Sequence, residues 1–376
     1  MIPVKHHNPL VTGYQPLKQE APMSSENVTI YDIASAAGVS IATVSRVLRE
    51  DPVVSRATRE KVEKVIAQYH YRPSSIARGL TSKVTHTLGI ILPKLLNPNY
   101  AMIFTGAQEE ARQSGCTVNL FSWSSLGLDL SDPPPALADR RLDGIIVCVE
   151  YLPPDQEEKL QLVLSRLRRF MPVVLIGCIP PDLEYPGISY NMAELMRRIV
   201  GYLVSLGHER IAFIGGVRED TDPLRRDVGY QEGLREAGLP RVDSWRVYGK
   251  ATPEVGRAAL EEMFSSLKPD FRPTAVIGLN DLVAMGCMAA ARSLGLRLPE
   301  DLSVIGCDDL FCAPYLSPAL TSVNTHQQEM GSRAVRMILS GDYAREQASW
   351  DLVLRSSCAP AQGGRQGNGS SVRKSR

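Results

Sequence analysis

Residues 29–48 read TIYDIASAAGVSIATVSRVL, and this stretch decides how the amino-terminal part of the chain folds. Apolar side chains recur there at the spacing of one helix face, at Ile30, Ile33, Ala34 and Ala37. Gly38 then ends the first helix, and Ser40 is a suitable N-cap for a second helix that runs to about Leu48. Two short helices joined at a glycine, with a small alanine where they touch, predict a helix-turn-helix.

A third helix follows this pair. Pro52 interrupts the chain, Ser55 provides an N-cap, and Pro73 ends the helical pattern. The side chains predicted to face inward from this helix are those of Val62, Val65, Ile66 and Tyr69. Residues 28–73 are therefore expected to form one small helical domain.

The second helix divides its side chains between the two sides of this domain. Those predicted to be buried are Val44, Val47 and Leu48, and those predicted to be exposed are Ile41, Ala42, Ser45 and Arg46. Exposed side chains at the start of such a helix can reach base edges in the major groove of DNA. Arg46 can pair with a guanine through two hydrogen bonds, and Ile41 and Ala42 can contact thymine methyl groups.

Short polar side chains around these helices can bind phosphates, which fixes the register of a protein on DNA without reading the sequence. They are Thr29, Tyr31, Ser40, Thr43 and Ser45. Residues 28–83 carry nine Lys or Arg and five Asp or Glu, a net charge of +4, whereas residues 84–376 carry 31 basic and 34 acidic residues, a net charge of −3. This asymmetry favours a polyanion as partner of the basic segment, with an ordinary helical hairpin that has a solvated basic face as the alternative.

The 376-residue chain has the composition of a globular protein, with 44% hydrophobic and 22% charged residues. No window approaches the roughly 18 consecutive apolar residues that a membrane helix needs, and the amino terminus has no apolar segment of signal-peptide length. We therefore expect no membrane partner and a cytoplasmic location. The seven cysteines form no CxxC pair and the six histidines show no metal-ligand spacing, which predicts no disulfide framework, no metal and no cofactor.

From residue 87 onward, short Val/Ile-rich strands alternate with amphipathic helices. The predicted strands are 88–92, 117–121, 144–149, 173–176, 211–214, 246–248, 275–278 and 303–306. The predicted helices between them include 101–114, 193–206, 229–237, 253–267 and 281–294. This alternation indicates an α/β fold with parallel sheets covered by helices on both faces, and its length favours two doubly wound sheets over one.

Three consecutive segments, VTIYDIASAAGVSIATVSRVL (28–48), VSRATREKV (54–62) and YRPSSIARGL (71–80), resemble the lactose-repressor (LacI/GalR) family of bacterial transcription regulators. The segments LGHERIAFIGG (206–216), RRDVGYQEGL (225–234) and RPTAVIGLNDLVAMGCMAAARSLGLRLPEDLSVIGCDDL (272–310) resemble the effector domain of that family, which is itself similar to two-lobed periplasmic sugar-binding proteins. The resemblance covers residues 28 to about 356.

The resemblance implies a hinge helix that orders on the operator and enters the minor groove as a pair, one from each subunit. Leu80 would wedge between bases, Ala77 would lie beside it, and Ser74 belongs to the same DNA-binding segment. Leu80 as an ordinary core contact is the alternative. Arg49 stands where the family often has asparagine and adds a possible phosphate contact.

The resemblance also implies a small-molecule effector bound between the two lobes. The candidate effector-binding residues are Asn97, Tyr100, Asp222, Arg226, Asn280 and Asp281. Helix capping by Asp281 and a surface ion pair of Arg226 are the structural alternatives. Three positions depart from the sugar-binding pattern: Gly177 where relatives often have aspartate, Ala251 where some have an aromatic lid residue, and His326 where proline is usual.

These inferences divide the chain into a disordered extension (1–27), a helix-turn-helix domain (28–73), a hinge helix or linker (74–85), a two-lobed effector-binding and dimerisation domain (86–356) and a disordered tail (357–376). The predicted function is a homodimeric transcriptional regulator, most often a repressor, whose affinity for a palindromic double-stranded DNA operator is switched by a sugar-like effector. A cytosolic carbohydrate-binding protein with little role on DNA is the alternative. An enzyme is disfavoured because GxSxG, Walker A and strand-following GxGxxG sequences are absent.

Overall fold

The structure, a computed structural model, describes residues 28–48, 51–69, 71, 84–123, 137, 142–150, 154–180, 183–216 and 221–362, without the side chains of 154–156 and 221–225. The chain divides into two compact units, Met1–Lys83 and Val84–Arg376, which we call the head and the body. The extension expected at 1–27, the hinge up to residue 83 and the tail from residue 363 lie outside the described residues.

Three helices form the described part of the head: α1 (Ile30–Ala37), α2 (Ile41–Leu48) and α3 (Arg56–Gln68). Gly38 ends α1 in the left-handed conformation, with a φ of 58°, as a glycine stop requires. The hydroxyl of Ser55 accepts a hydrogen bond from the amide of Thr58 and so caps α3. The three predicted helices are confirmed.

The core of the head lies where the three helices meet. Its buried side chains are those of Ile33, Ala34, Ala37, Val44, Val47, Val62 and Tyr71. Val65 and Ile66 pack against it as predicted. The prediction for Tyr69 is wrong, because 42% of this residue is exposed. The helix ends at Gln68, so helical spacing no longer applies, and Tyr71 occupies the core instead.

A six-stranded sheet organises the first lobe of the body. Its strands are β1 (Thr87–Leu92), β2 (Thr117–Ser122), β3 (Gly144–Val149), β4 (Val173–Gly177), β5 (Gly187–Ser189) and β11 (Arg345–Gln347). Among the described residues they lie in the order β11-β5-β4-β3-β1-β2, and every neighbouring pair is parallel. β1, β3 and β4 are almost wholly buried, as expected of strands with helices on both faces.

Helices α4 (Pro98–Gln113) and α10 (Gln327–Ser340) cover one face of this sheet, and α5 (Pro154–Leu167) covers the other. The first two pack backbone to backbone. A Cβ on Gly106 of α4 would lie 1.8 Å from the carbonyl oxygen of Gln328, and one on Gly331 of α10 would lie 2.0 Å from that of Ile103. Glycine is therefore required at both positions of this contact.

A four-stranded parallel sheet organises the second lobe. Its strands are β6 (Ile211–Ile214), β7 (Arg246–Val247), β8 (Ala275–Gly278) and β9 (Ser303–Ile305), in the order β7-β6-β8-β9. Its helices are α6 (Met192–Ser205) and α7 (Thr221–Glu236) on one face, and α8 (Pro253–Ser266) and α9 (Asp281–Ser293) on the other. Two short antiparallel strands, β10 (Ser322–Asn324) and β12 (Asp351–Val353), complete this lobe.

The chain crosses between the lobes three times, from β5 to α6, from β10 to α10 and from β11 to β12. The predicted α/β class with two doubly wound sheets is confirmed. The eight predicted strands are all present, with ends that differ by at most one residue. The prediction missed β5, β10, β11 and β12, because three residues are too few for a periodic signal.

The carboxyl-terminal end of the body extends further than expected. Ser357 is buried, and the amide of Ala361 donates a hydrogen bond to the carbonyl oxygen of Leu206, 2.8 Å away. Residues 357–361 therefore belong to the second lobe rather than to a disordered tail that begins at 357.

Candidate functional site

The exposed side of α2 carries the residues predicted to read bases. Ile41 is 40% exposed, Ala42 and Arg46 are exposed, and Ser45 is half-buried. No described carboxylate forms an ion pair with Arg46, so its guanidinium is available to a ligand. Because the opposite side of the helix is held in the core, this face presents its side chains outward.

The predicted phosphate-binding hydroxyls lie at the starts of the first two helices. The Thr29 hydroxyl lies 2.6 Å from a carboxylate oxygen of Asp32, and the hydrogen bonds from Thr29 lower the pKa of Asp32. Ser40 Oγ accepts a hydrogen bond of 3.1 Å from the Thr43 amide. These hydroxyls therefore hold helix amino termini, whose backbone amides also attract phosphates. Tyr31, beside them, is 68% exposed.

Four predicted DNA-binding residues lie outside the described residues: Arg49, Ser74, Ala77 and Leu80. Their roles stay predictions.

In the body, the candidate effector-binding residues lie near the carboxyl ends of strands in both lobes, and we call the region between these strand ends the cleft. Tyr100, in the first turn of α4, and Tyr190, which follows β5, both belong to the first lobe. Burial raises the pKa of both tyrosines, and the negative charge of Asp308, which follows β9 in the second lobe, raises it further. The cleft is therefore lined from one lobe by two tyrosines and from the other by an acid.

Asp308 is the residue that the sequence reasoning missed. It is 8% exposed, and its backbone has a φ of 113°, which a non-glycine residue rarely adopts. The described residues donate no hydrogen bond to its carboxylate. Burial raises its pKa well above the usual range, and the nearby Arg226 opposes that effect. A strained, buried acid of this kind is typical of a binding site. The signal that could have identified Asp308 is the acidic pair at 308 and 309 in IGCDD (305–309), which follows the buried strand β9.

Arg226 lies on α7 and is half-buried. One guanidinium nitrogen donates to the carbonyl oxygen of Leu279, directly after β8. The structure therefore brings Arg226 to the same strand ends as Asp308. The side chain of Asp222, on the same helix, lies outside the description.

The sequence left helix capping and ligand binding open at these positions, and the structure assigns the cap to Asn280 rather than to Asp281. The side chain of Asn280 caps α9 by accepting a hydrogen bond of 3.0 Å from the Val283 amide. Asp281 is fully buried, and its carboxylate accepts hydrogen bonds from the Leu310 amide, at 2.7 Å, and from the Ser322 hydroxyl. Burial raises the pKa of Asp281 to about 7. One carboxylate oxygen thus holds the loop after β9 and the other holds the start of β10.

The first-lobe rim carries the remaining candidate. Asn97 caps α4, with its side-chain oxygen 3.1 Å from the Asn99 amide. Beside it, Lys94 Nζ lies 2.8 Å from the carboxylate of Glu150, which follows β3. The charge of Glu150 also raises the pKa of Tyr100. Glu150 and Lys94 therefore belong to the rim of the cleft, and the sequence reasoning did not single them out.

The departures at Gly177 and His326 have local causes. Gly177 has a φ of 111°, and a Cβ there would lie 2.5 Å from the carbonyl oxygen of Val149, so an aspartate does not fit this backbone. His326 begins α10 with a φ of 51°, and its Nε2 lies 3.0 Å from a carboxylate oxygen of Asp351. Ala251 is half-buried. The acid of the sugar-binding pattern is therefore excluded at residue 177 by geometry.

Among the residues that the structure describes, no group of three or more His, Cys, Asp or Glu side chains could hold a metal ion. In the same part of the chain, every helix is too short or too polar to span a lipid bilayer.

Comparison with known proteins identifies both units. Residues 29–74 match the family model described as bacterial regulatory proteins, lacI family, and residues 200–358 match the periplasmic binding protein-like domain. The chain is 34% identical over 318 residues to catabolite control protein A of Priestia megaterium. This alignment covers 83% of this chain and 92% of that protein. The chain belongs to the lacI family. As members of this family do, it combines a DNA-binding head for transcriptional regulation with a ligand-binding body.

Two more comparisons support this assignment. The HTH-type transcriptional repressor PurR of Vibrio atlanticus is 31% identical over 311 residues, covering 83% of this chain and 91% of that protein. A solved structure described as the transcriptional regulator CelR–cellobiose complex has a TM-score of 0.62 and 27% identity, and covers 88% of this chain and 99% of that chain. These relatives are transcriptional regulators.

Proposed function

We propose that the cleft of the body binds a sugar or a similar hydroxyl-rich small molecule, and that its occupancy switches the affinity of the head for a palindromic operator. The observation that carries this proposal is the buried Asp308 carboxylate, which has a strained backbone and to which no described residue donates a hydrogen bond, and whose charge raises the pKa of Tyr100 and Tyr190 of the other lobe. Ligand hydroxyls can satisfy such an acid, and the hydrogen bonds then link the two lobes. The similar CelR structure holds cellobiose.

The remaining cleft residues take complementary roles in this proposal. Tyr100 stacks on the ligand ring, Arg226 donates hydrogen bonds to it, and Asn97, Asp222 and Asn280 supply further polar contacts. Asp281 acts mainly by holding the loop that carries Asp308, because both its oxygens are engaged. Since Gly177 offers no acid, Asp308 is the main carboxylate acceptor. The chain performs no catalysis and needs no cofactor in this function.

A thermal-unfolding screen of the full chain tests the effector class. We would compare mono- and disaccharides including cellobiose, sugar phosphates and purines. A ligand at 100 times its Kd stabilises a protein by about 2.7 kcal/mol, which gives a measurable rise in Tm. The Asp308→Asn variant should lose the shift, whereas Asp270→Asn, an exposed acid of the second lobe, should keep it. A shift only with purines, or a shift that survives Asp308→Asn, would contradict the proposal.

The operator-bound form is proposed to be a homodimer, located in the cytoplasm, in which the hinge segment expected at 74–85 forms paired helices up to residue 83, because Val84 and Thr85 are not helical and Thr85 is bonded to the body. Exposed apolar side chains on both lobes support self-association. Phe311 and Tyr315 in the second lobe are 72% and 85% exposed, and Leu96 and Leu120 in the first are 96% and 42% exposed. Leu120 lies on β2, an edge strand of the six-stranded sheet. Light scattering should give the mass of a dimer, and a Phe311→Ser/Tyr315→Ser variant should shift it toward the monomer.

A further inference from the structure

The amino edge of the six-stranded sheet, on the side away from the cleft, is where the chain enters the body. The amide of Thr85 donates to a carboxylate oxygen of Asp143 at 2.8 Å, and the amide of Asp143 donates to the carbonyl oxygen of Thr87, also at 2.8 Å. The next strand continues this edge, because the amide of Ile145 donates to the carbonyl oxygen of Pro172 at 2.9 Å. β1 and β4 are separated only by β3, so the starts of these two strands lie about 10 Å apart.

A cluster of arginines lies at this edge. The segment SRLRRF (165–170) includes the end of α5 and stops two residues before Pro172. Arg168 and Arg169 are exposed, and neither forms an ion pair with a described carboxylate. The Arg168 guanidinium lies 5.5 Å from the centre of the Tyr185 ring, which steadies it without neutralising its charge. Both guanidinium groups are therefore available to an anion.

The described acids near this edge form no ion pair with Arg168 or Arg169. The carboxylate of Asp143 accepts hydrogen bonds from the amide and hydroxyl of Thr85. Glu184 is exposed beside Tyr185 but pairs with neither arginine.

Chain connectivity ties this edge to the DNA-binding head. Twelve residues, 72–83, separate Tyr71 from Val84, the first described residue of the body. A chain of that length spans at most about 40 Å. The amino edge of the four-stranded sheet has no such tether, because the chain reaches it only after crossing the cleft.

We propose that Arg168 and Arg169 bind backbone phosphates of the duplex that flanks the operator. Guanidinium groups pair well with phosphate oxygens, and such contacts add affinity without reading the sequence. The body thus contributes directly to DNA affinity, in addition to its control of the head. The alternative is that these arginines only interact with the dipole at the carboxyl end of α5. In that case, reversing the charge of both side chains leaves DNA binding unchanged.

The test uses the full-length protein and a site selected by it from a random duplex pool. Two duplexes carry this site, one limited to the selected sequence and one with 12 base pairs added at each end. The Arg168→Glu/Arg169→Glu variant is compared with the wild type and with Arg235→Glu/Lys268→Glu. The latter pair is also exposed and belongs to the other lobe, with Arg235 in the last turn of α7 and Lys268 seven residues before β8, so it is a matched control.

We expect the wild type and the control to prefer the long duplex, and the Arg168→Glu/Arg169→Glu variant to lose roughly tenfold in affinity for it while binding the short one normally. The dependence of log affinity on log salt should fall by about 4 for the long duplex, because each of the two subunits contributes two arginines and each arginine neutralises one phosphate. An Arg168→Lys/Arg169→Lys variant should retain most of the preference. No preference in the wild type, an equal loss on both duplexes, or the same loss in the control would overturn the proposal.

Discussion

The Arg246 guanidinium lies 2.5 Å from the Asp227 carboxylate inside the second lobe, and their side chains are only 3% and 6% exposed. The same guanidinium donates to the carbonyl oxygens of Gly215 and Val247 and lies between the rings of Phe213 and Tyr248. Asp227 directly follows Arg226 in α7, so this pair anchors the helix that carries the proposed ligand-binding arginine.

Removing one member of this buried pair should be strongly destabilising. Asp227→Ala leaves the Arg246 charge buried without its partner, and we expect a loss of about 3–5 kcal/mol in the free energy of unfolding. Urea denaturation measures it. Glu261→Ala removes the partner of Arg257 in an exposed pair and should leave stability unchanged. Near-equal stabilities of the two variants would mean that the buried pair contributes little.

Gly177→Asp, which introduces the acid of the sugar-binding pattern, should destabilise the first lobe. The φ of 111° and the approach of the new Cβ to the Val149 carbonyl oxygen should together cost about 1–3 kcal/mol. Gly115→Asp is the matched control, because Gly115 also has a positive φ, of 70°, but has nothing within 4 Å of its Cβ position. We expect the larger fall in Tm for Gly177→Asp, and equal falls would show that steric crowding is not the cause.

His208 should make the second lobe sensitive to acid. It is buried, with Nδ1 3.0 Å from the Thr274 hydroxyl and Nε2 3.0 Å from the Ala359 carbonyl oxygen, and burial lowers its pKa from 6.5. The unfolded chain therefore binds a proton at a higher pH than the folded one does. Stability from this site is complete above about pH 6.5 and is lost as the pH falls from there through the folded pKa.

A His208→Gln variant tests this linkage, because its side chain does not titrate. The variant should be less stable than the wild type at pH 7.5, and the difference should shrink at pH 5.5. Urea denaturation at both values measures it. A constant difference would exclude His208 as the titrating group.

Arg46 should determine the preference at one base pair of each half-site. We expect Arg46→Ala to weaken binding to the selected site by about 1–3 kcal/mol and to relax the preference at a guanine. Arg56 is an exposed arginine of α3. Arg56→Ala should weaken DNA binding less, and by the same factor for all DNA sequences. Selection from a random pool with each variant measures both. An unchanged consensus with Arg46→Ala would move base recognition to other residues.

Much of the fold could be predicted because burial leaves strong patterns in the sequence. β3, with six consecutive buried residues, and β8, with four, were predicted with their observed ends. The start of α7 at Thr221 was missed because TDPLRRDV has no apolar period. Tyr69 was misplaced because the helix ends one residue earlier.

The cleft was less predictable, because it depends on residues that tertiary structure brings together. Asp308 and Tyr190 lie 118 positions apart in the sequence and meet only when the lobes face each other. Periodicity also could not assign Asp281, whose buried carboxylate bonds to Leu310 and Ser322 from distant segments. Gly177 appeared as a missing ligand, whereas its backbone conformation explains the absence of a side chain.

The three crossings between the lobes limit how this body could be recombined with those of related genes. The first lobe takes α10 and the edge strand β11 from a part of the gene that follows the whole four-stranded sheet. An exchange at a single junction near residue 190 would therefore join an incoming lobe to a foreign α10, and the contact at Gly106 and Gly331, which leaves no room for a Cβ, would have to form between sequences from two genes. Functional chimaeras need two junctions, so the lobes are inherited together more readily than apart.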